Sequence, residues 1–195
     1  MRTRTLLWLG AMAAAAGCAH STELATSWRN PTATSARFHH VIALFVSNDV
    51  ALRRTAEDRM ASQIGGAVPA YTIVPDSEVR DASRVQQRIH DAGFDGAVVM
   101  RVVSVELKPN YATGYWYPGP TDLWGYWGTS WGYAYDPGYM MPDKVITVES
   151  AVYSVPDNKL VWAGRTETFN PSSLKKLIDG VVRVSVKRMR KERLL

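Results

Sequence analysis

The fold is decided by residues 41–46, Val-Ile-Ala-Leu-Phe-Val, an apolar run without a single polar residue. Such a run is typical of a strand that is buried on both faces of a sheet. Asn48 or Asp49 follows as a candidate helix cap, and the apolar residues after it recur every four positions, at Leu52, Ala56, Met60 and Ile64. Gly65-Gly66 then predicts the end of this helix.

The same alternation continues toward the middle of the chain. Tyr71-Thr72-Ile73-Val74 predicts a second, short strand, and residues 97–103 predict a third apolar strand. Between them, Ser83 with Gln86 three residues later forms a candidate capping box for a helix whose apolar stripe is Val85, Ile89 and Ala92. The order strand-helix-strand-helix-strand favours parallel pairing with right-handed crossovers.

The last third of the chain predicts a hairpin followed by a helix. Residues 145–155 and 160–168 are strand candidates, and Pro156-Asp157-Asn158 between them has the composition of a tight turn. Asn170-Pro171 is expected to open the last helix, whose apolar face holds Leu174, Leu177, Ile178 and Val181. Gly180 inside this helix costs about 1 kcal/mol relative to alanine.

Together these elements predict an α/β fold of the mixed α+β type. We expect a mixed sheet of about five strands covered by about three helices. A single domain is expected over residues 38–195, with a long aromatic, glycine-rich insertion at residues 109–143 between the third and fourth strands.

The first 17 residues have the anatomy of a secretory signal. Arg2 and Arg4 precede an apolar run from Leu6 to Ala16, which is too short to span a bilayer as a mature helix. Ala15-Ala16-Gly17 then leads directly into Cys18, the only cysteine of the chain. This arrangement resembles the lipobox of bacterial lipoproteins, with alanine at position 15, where leucine is the commonest residue.

The lipobox resemblance implies that the signal 1–17 is removed and that Cys18 carries acyl chains such as palmitate. Each buried methylene contributes about 0.8 kcal/mol, so two or three chains make a durable membrane anchor. Ala19 stands where aspartate would resemble an inner-membrane retention signal, so the resemblance favours the outer membrane, with the domain in the periplasm. Residues 18–37 are rich in Ser, Thr and Ala, and we expect them to form the lipid anchor and a flexible tether.

The charge and the cysteine content exclude some classes of partner and of structural site. The whole chain has a formal net charge of +5, and without Arg2 and Arg4 it keeps 21 basic and 18 acidic residues. This mild excess, combined with export, argues against nucleic acid as a partner. One cysteine excludes a disulfide framework and a thiolate metal cluster.

The element order and three local motifs resemble a family of Gram-negative envelope lipoproteins. The motifs are the Arg53-Arg54…Glu57-Asp58 helix, the Gly93-Phe94-Asp95-Gly96-Ala97 lead into the third strand, and Leu160-Val161-Trp162-Ala163-Gly164. The domain of that family is similar to the amino-terminal domain of TolB and to the curli-secretion and penicillin-binding-protein-activator lipoproteins. The resemblance covers roughly residues 28–195 and implies a non-catalytic role in the envelope, without assigning a function to any residue.

The aromatic insertion supplies the candidate binding surface. Between Tyr111 and Met141 lie seven of the nine tyrosines and four of the seven tryptophans, and the only charged residues there are Asp122 and Asp136. Tyr and Trp offer flat apolar faces with one polar group each. The candidate surface residues are Tyr115, Trp116, Trp124, Tyr126, Trp127, Trp131 and Tyr133.

Four uses of this insertion remain open from the sequence. The rings can stack on sugars of the cell wall, lie at a membrane interface, or anchor a protein partner. They can also form a hairpin extension that packs over the domain's own sheet. A protein partner in envelope assembly or maintenance is the first hypothesis, and a glycan-binding module is the alternative.

Catalytic and metal signals are weak. Gly128-Thr129-Ser130-Trp131-Gly132 matches the G-x-S-x-G pattern but lacks the strand before it and the helix after it that a nucleophile elbow needs. His39 and His40 are neighbours that point to opposite faces of a strand, and His90 is expected at the surface. The carboxylate pairs Glu57-Asp58 and Asp76…Glu78 have spacings of ordinary solvated faces. We expect no enzyme activity, no cofactor and no metal site.

The last helix is strongly basic. From Ser172 to Leu195 there are eight basic residues against Asp179 and Glu192. We expect these cations to lie on a solvated face and to stabilise the helix C-terminus. Contact with acidic lipid headgroups or with an acidic partner is the competing interpretation.

Overall fold

The computed structural model describes residues 22–33, 37–108 and 142–195. The signal peptide, Cys18 and all seven aromatic candidates lie outside the described residues. The expectations about them therefore stay predictions.

The described chain forms one six-stranded mixed sheet with three α-helices, which confirms the α/β class and adds one strand to the expected number. The strand order is β1-β6-β5-β4-β2-β3. Strand β2 pairs in parallel with β3 and β4, as the alternating order predicted, and the other neighbours are antiparallel. The strands are β1 Thr22–Arg29, β2 Val41–Val46, β3 Val68–Pro69, β4 Gly96–Lys108, β5 Asp143–Ser154 and β6 Lys159–Phe169.

The helices cover the two faces of the sheet unequally. They are α1 Val50–Ile64, α2 Ala82–Asp91 and α3 Leu174–Lys191, with a 3-10 turn at Ala70–Thr72. Helices α1 and α3 pack together on one face, over a core that includes Met60, Trp162 and Val182. The 3-10 turn and the end of α2 cover only part of the other face, around Ile42 and Phe94.

The run that decided the fold behaves as its pattern predicts. Val41, Ile42, Ala43 and Phe45 are buried. Asp49 caps α1, because its Oδ1 accepts a hydrogen bond from the Leu52 amide at 3.0 Å. Gly65 ends α1 with a φ of 80°, in the left-handed region that glycine enters without a steric penalty. The β5–β6 hairpin is also confirmed, with Asn158 at a φ of 50° in its turn.

The expected flexible tether is wrong for residues 22–29. Instead of a coil, these residues form β1, an edge strand that pairs antiparallel with β6 from Thr22↔Thr168 to Arg29↔Trp162. The Thr22 and Thr168 hydroxyl oxygens are 2.9 Å apart. The strand has few apolar residues because it lies at the sheet edge, where backbone pairing rather than burial holds it.

Three local boundaries also differ from the expectations. The expected strand at residues 71–74 is replaced by the two-residue β3 and the 3-10 turn. Helix α2 is capped by Asp81, whose Oδ1 accepts from the Ser83 and Arg84 amides, rather than by Ser83. Helix α3 begins after Ser173, whose Oγ accepts from the Lys176 amide, so Asn170-Pro171 precedes the helix without opening it.

Gly180 explains how β1 and α3 can approach each other. Helix α3 continues through this glycine without a break. A Cβ added at Gly180 would lie 2.4 Å from the Thr22 hydroxyl oxygen, which is far inside van der Waals contact. The glycine therefore lets the helix lie directly against the first residue of the edge strand.

We predict that Gly180→Ala lowers the free energy of unfolding by about 1–3 kcal/mol, because the added methyl overpacks the contact with Thr22. At a solvent-exposed helix position the same change would raise the free energy of unfolding by about 1 kcal/mol. The sign of the measured change therefore shows whether Gly180 is packed against Thr22. Urea unfolding measures the effect. Thr22→Ala should restore part of the loss in the double variant, and a stabilising Gly180→Ala would contradict the β1–α3 contact.

Candidate functional site

Four strands bring residues that are far apart in sequence into one row across the sheet. Thr22 lies opposite Thr168, Thr168 opposite Ile146, and Ile146 opposite Val105. With a spacing of about 4.8 Å between strands, the row is about 14 Å wide. It marks one end of the sheet, which we call the anchor end, because β1 enters there after Cys18.

The anchor end also bears the chain segments that flank the aromatic insertion. Strand β4 ends at Lys108 and β5 begins at Asp143, and these two residues are paired. The two residues that flank the insertion in the described chain therefore lie at the end of the sheet where β1 begins. The first residue of α3, Leu174, follows the end of β6 on the same side.

Apolar side chains are exposed at this end. Strand β2 pairs with β4 only as far as Arg101, so the last seven residues of β4 have β5 as their only described neighbour. Val102 and Val105 lie opposite Val148 and Ile146, which belong to the core under α1 and α3. The exposed fractions are 40% for Val102, 57% for Val105, 67% for Leu107 and 52% for Leu174, and we call these four residues the anchor-end patch.

The patch continues into the core through a narrow apolar cleft of about 30 Å³. Val102 and Leu174 line the cleft together with Leu52, Phe45 and Leu177. The exposed residues are thus the outer rim of the packed core, at the place where the helices stop short of the sheet end. A contiguous exposed apolar surface of this kind marks an interaction site more often than a solvated one.

A second feature is a buried carboxylate that the sequence analysis placed on a solvated face. Glu57 on α1 is 1% exposed. Its two oxygens accept hydrogen bonds from the Phe45 amide at 3.2 Å and the Tyr71 amide at 2.8 Å. Strand β3 ends before it can pair with Phe45, so the carboxylate takes the place of a strand and joins β2 to the 3-10 turn.

Burial raises the pKa of Glu57, while the two backbone donors and the Arg53 guanidinium lower it to a smaller extent. Both carboxylate oxygens are engaged by the backbone. Glu57 is therefore a structural clamp in this geometry rather than an acid or base that faces a substrate.

Arg53 extends this clamp toward a cleft of about 300 Å³ at the carboxyl end of β2. The Arg53 side chain is 4% exposed and pairs with Asp76, whose other oxygen lies 2.9 Å from Arg54. Arg80 on the opposite wall donates to Asn48 at 3.1 Å. The charged groups that line the cleft, Arg53, Glu57 and Arg80, thus all have partners within the described fold.

His39, His40 and the ion pairs of Glu149 make contacts with other residues of the domain. His39 and His40 donate their amides to Asp95, and the His40 ring stacks on Phe94 at 4.2 Å. His90 is exposed, as expected. On the face of the sheet opposite α1 and α3, Glu149 pairs with Arg101 and Arg165, and the hydrogen bond from Arg101 is the main cause of a lowered Glu149 pKa.

Within the ranges that the structure describes, no group of three or more His, Cys, Asp or Glu residues could hold a metal ion. None of the described helices is long and apolar enough to cross a membrane.

The spacing of Arg53 and Glu57 in the sequence could have predicted that these two charged residues are buried. Arg53 and Glu57 share the helical spacing of Met60 and Ile64, which places two charged residues on the edge of an apolar stripe. Val102, Val105 and Leu107 gave no such signal, because a strand pattern does not show where the covering helices end.

We predict that Glu57→Gln lowers the free energy of unfolding by about 1–3 kcal/mol at neutral pH, because the glutamine NH₂ group faces one of the two backbone donors. Since the folded pKa of Glu57 is raised, the wild type gains stability as the pH falls through that pKa toward the ordinary value of 4.5, and the variant does not. The difference in the free energy of unfolding between the wild type and Glu57→Gln should therefore grow as the pH is lowered. Glu106→Gln, at an exposed position, is the control, and equal losses in both variants would contradict the clamp.

Comparisons with known proteins give only distant similarity. No family model and no curated protein matches the sequence. Among solved structures, two crystal forms of the PelC dodecamer from Paraburkholderia phytofirmans, one of a point variant, match with TM-scores of 0.45. They are 12% and 10% identical and cover 90% and 85% of this chain and 99% and 97% of theirs.

A lipoprotein, GNA1162 from Neisseria meningitidis, is also similar. It has a TM-score of 0.38 and 11% identity and covers 78% of this chain and 98% of its own. These values are too low to assign the chain to a family.

Proposed function

We propose that this chain is an envelope lipoprotein, anchored in the outer membrane through Cys18, whose periplasmic domain binds a protein partner and catalyses no reaction. The proposal rests on the short separation in sequence between Cys18 and β1. Thr22, the first residue of an edge strand in a single packed sheet, follows the lipobox cysteine by four positions.

The spacing holds the domain close to the lipid. Four residue steps span at most about 14 Å in a fully extended chain. The anchor end, with Thr22 in it, therefore stays within that distance of an acylated Cys18. A domain held this way would work at the membrane surface, and outer-membrane placement follows from the lipobox resemblance with Ala19 after the cysteine.

A binding role fits the chemistry of the described residues. Glu57 and Arg53, the buried charges beside the cleft at the carboxyl end of β2, are both engaged in contacts within the fold, Arg53 with the exposed Asp76. The insertion rich in Tyr and Trp is connected to the anchor end, so a partner that binds these rings would meet the domain near the membrane.

Glycan binding is the second candidate. Its support is the composition of residues 109–141, whose aromatic faces suit stacking on sugar rings. Peptidoglycan is the glycan that a periplasmic domain would meet.

The first prediction from this proposal concerns the anchor. Cys18→Ser should abolish the incorporation of a fatty-acid analogue and move the protein from the membrane fraction to the soluble periplasmic fraction, because a single thiol carries the attachment. Intact-mass spectrometry and cell fractionation measure both effects. Ser21→Ala is the matched control and should stay acylated. A wild-type chain with a bare thiol would contradict the proposal.

The second prediction concerns the partner. A photo-crosslinking residue placed at Tyr126 should trap one defined protein in intact cells, whereas the same residue at Tyr153, on the described domain surface, should not. Unchanged crosslinks after deletion of residues 111–141 would contradict a partner site in the insertion.

The glycan alternative predicts a different result. Binding to purified sacculi should be lost in the Trp124→Ala, Trp127→Ala double variant, with circular dichroism as the check that the domain is still folded. Retained binding would contradict the glycan alternative.

A further inference from the structure

We infer that the anchor end of the domain lies against the lipid bilayer, with Val105, Leu107 and Leu174 in contact with the membrane interface. This inference rests on the proposed acylation of Cys18 and goes beyond it, because an acylated cysteine alone does not say which surface of the domain meets the lipid.

The chain between Cys18 and β1 is short. Three residues separate Cys18 from Thr22, which keeps Thr22 itself within about 14 Å of Cys18. A single α-helix with its side chains is about 10–12 Å thick, so a folded partner domain does not fit between Thr22 and an acylated Cys18. The end of the sheet that contains Thr22 is therefore the end held nearest the membrane.

The exposed apolar residues lie at the same end of the sheet as Thr22. Val105 is in the same row as Thr22, and Leu107 lies two residues further along β4, beyond the last paired residue of β6. Leu174 lies at the start of α3, the helix whose Gly180 touches Thr22. The apolar surface and the attachment point thus share one end of the domain.

Charges of both signs lie together near the anchor end. Lys108 lies opposite Asp143. Asp179 pairs with both Lys175 and Arg59, and Glu23 lies opposite Glu167. The basic cluster of α3 lies at the opposite end, where Arg190 donates to the Gln63 carbonyl oxygen at the end of α1. Apolar contact rather than attraction to anionic headgroups therefore sets the orientation, which separates this inference from the headgroup interpretation of the basic helix.

The test uses the full acylated chain with one environment-sensitive fluorophore. Leu107→Cys introduces the only free thiol, because Cys18 is occupied by lipid, and the site is exposed enough to accept a label. Lys187→Cys is the matched control at the basic end, also exposed. Both proteins are reconstituted in vesicles of phosphatidylethanolamine with a minor fraction of phosphatidylglycerol, and circular dichroism checks their fold.

We expect lipid-borne nitroxide quenchers to remove most of the fluorescence at position 107 and little of it at position 187, and aqueous iodide to give the reverse. Stronger lipid quenching at 187 than at 107 would overturn the inference in favour of the basic end. A label at 107 that iodide quenches freely would also overturn it, as would one that neither quencher reaches, since that indicates a protein partner on the patch.

The same preparations separate this inference from the function on which it rests. Intact-mass spectrometry shows whether Cys18 is acylated before any label is attached. An acylated chain with an unquenched position 107 overturns only the orientation, whereas a chain without acyl groups overturns both.

Discussion

The pairing of β1 with β6 is the constraint that joins the start of the described chain to the rest of the sheet, and the proposed position of the domain at the membrane depends on it. A free coil of about 20 residues has a mean span of about 25 Å and reaches further when extended. Thr22 is paired with Thr168 and packed against Gly180, and only three residues separate it from Cys18. With the proposed acylation of Cys18, the pairing would therefore hold one edge of the sheet close to the lipid.

Different interactions stabilise the two faces of the sheet. One face is filled by α1 and α3, over a continuous apolar core that reaches from Phe45 to Met189. Among the described residues, the other face is covered only by the 3-10 turn and α2. Where β3 ends, the Glu57 carboxylate of α1 accepts from the Phe45 and Tyr71 amides and replaces the hydrogen bonds that a longer β3 would supply. A charged residue in the interior is tolerated there because both of its oxygens have backbone donors.

The sequence predicted the buried and locally determined parts of this structure, and missed those set by distant contacts. The run 41–46, the Asp49 cap and the Asn158 turn depend on neighbouring residues, and all three are present. Strand β1 was missed because its hydrogen-bonding partner is more than 130 residues away and its own residues are mostly exposed. Glu57 was missed for a related reason, since its burial depends on amides that belong to two other elements.

The exposed apolar residues of β4 follow from the same geometry. A β-strand rises about 3.3 Å per residue and a helix about 1.5 Å, so a helix needs more than twice as many residues to cover the length of a strand. Helix α1 joins the sheet at the end of β2, at the level of Arg101, and β4 runs seven residues beyond that level. Its helix-side face there has no cover from α1, and α3 reaches it only with Leu174. In a freely diffusing domain such a strand end would be an aggregation risk. If Thr22 is held within about 14 Å of an acylated Cys18, as we propose, the same residues would lie near an apolar phase, and their exposure would help to orient the domain.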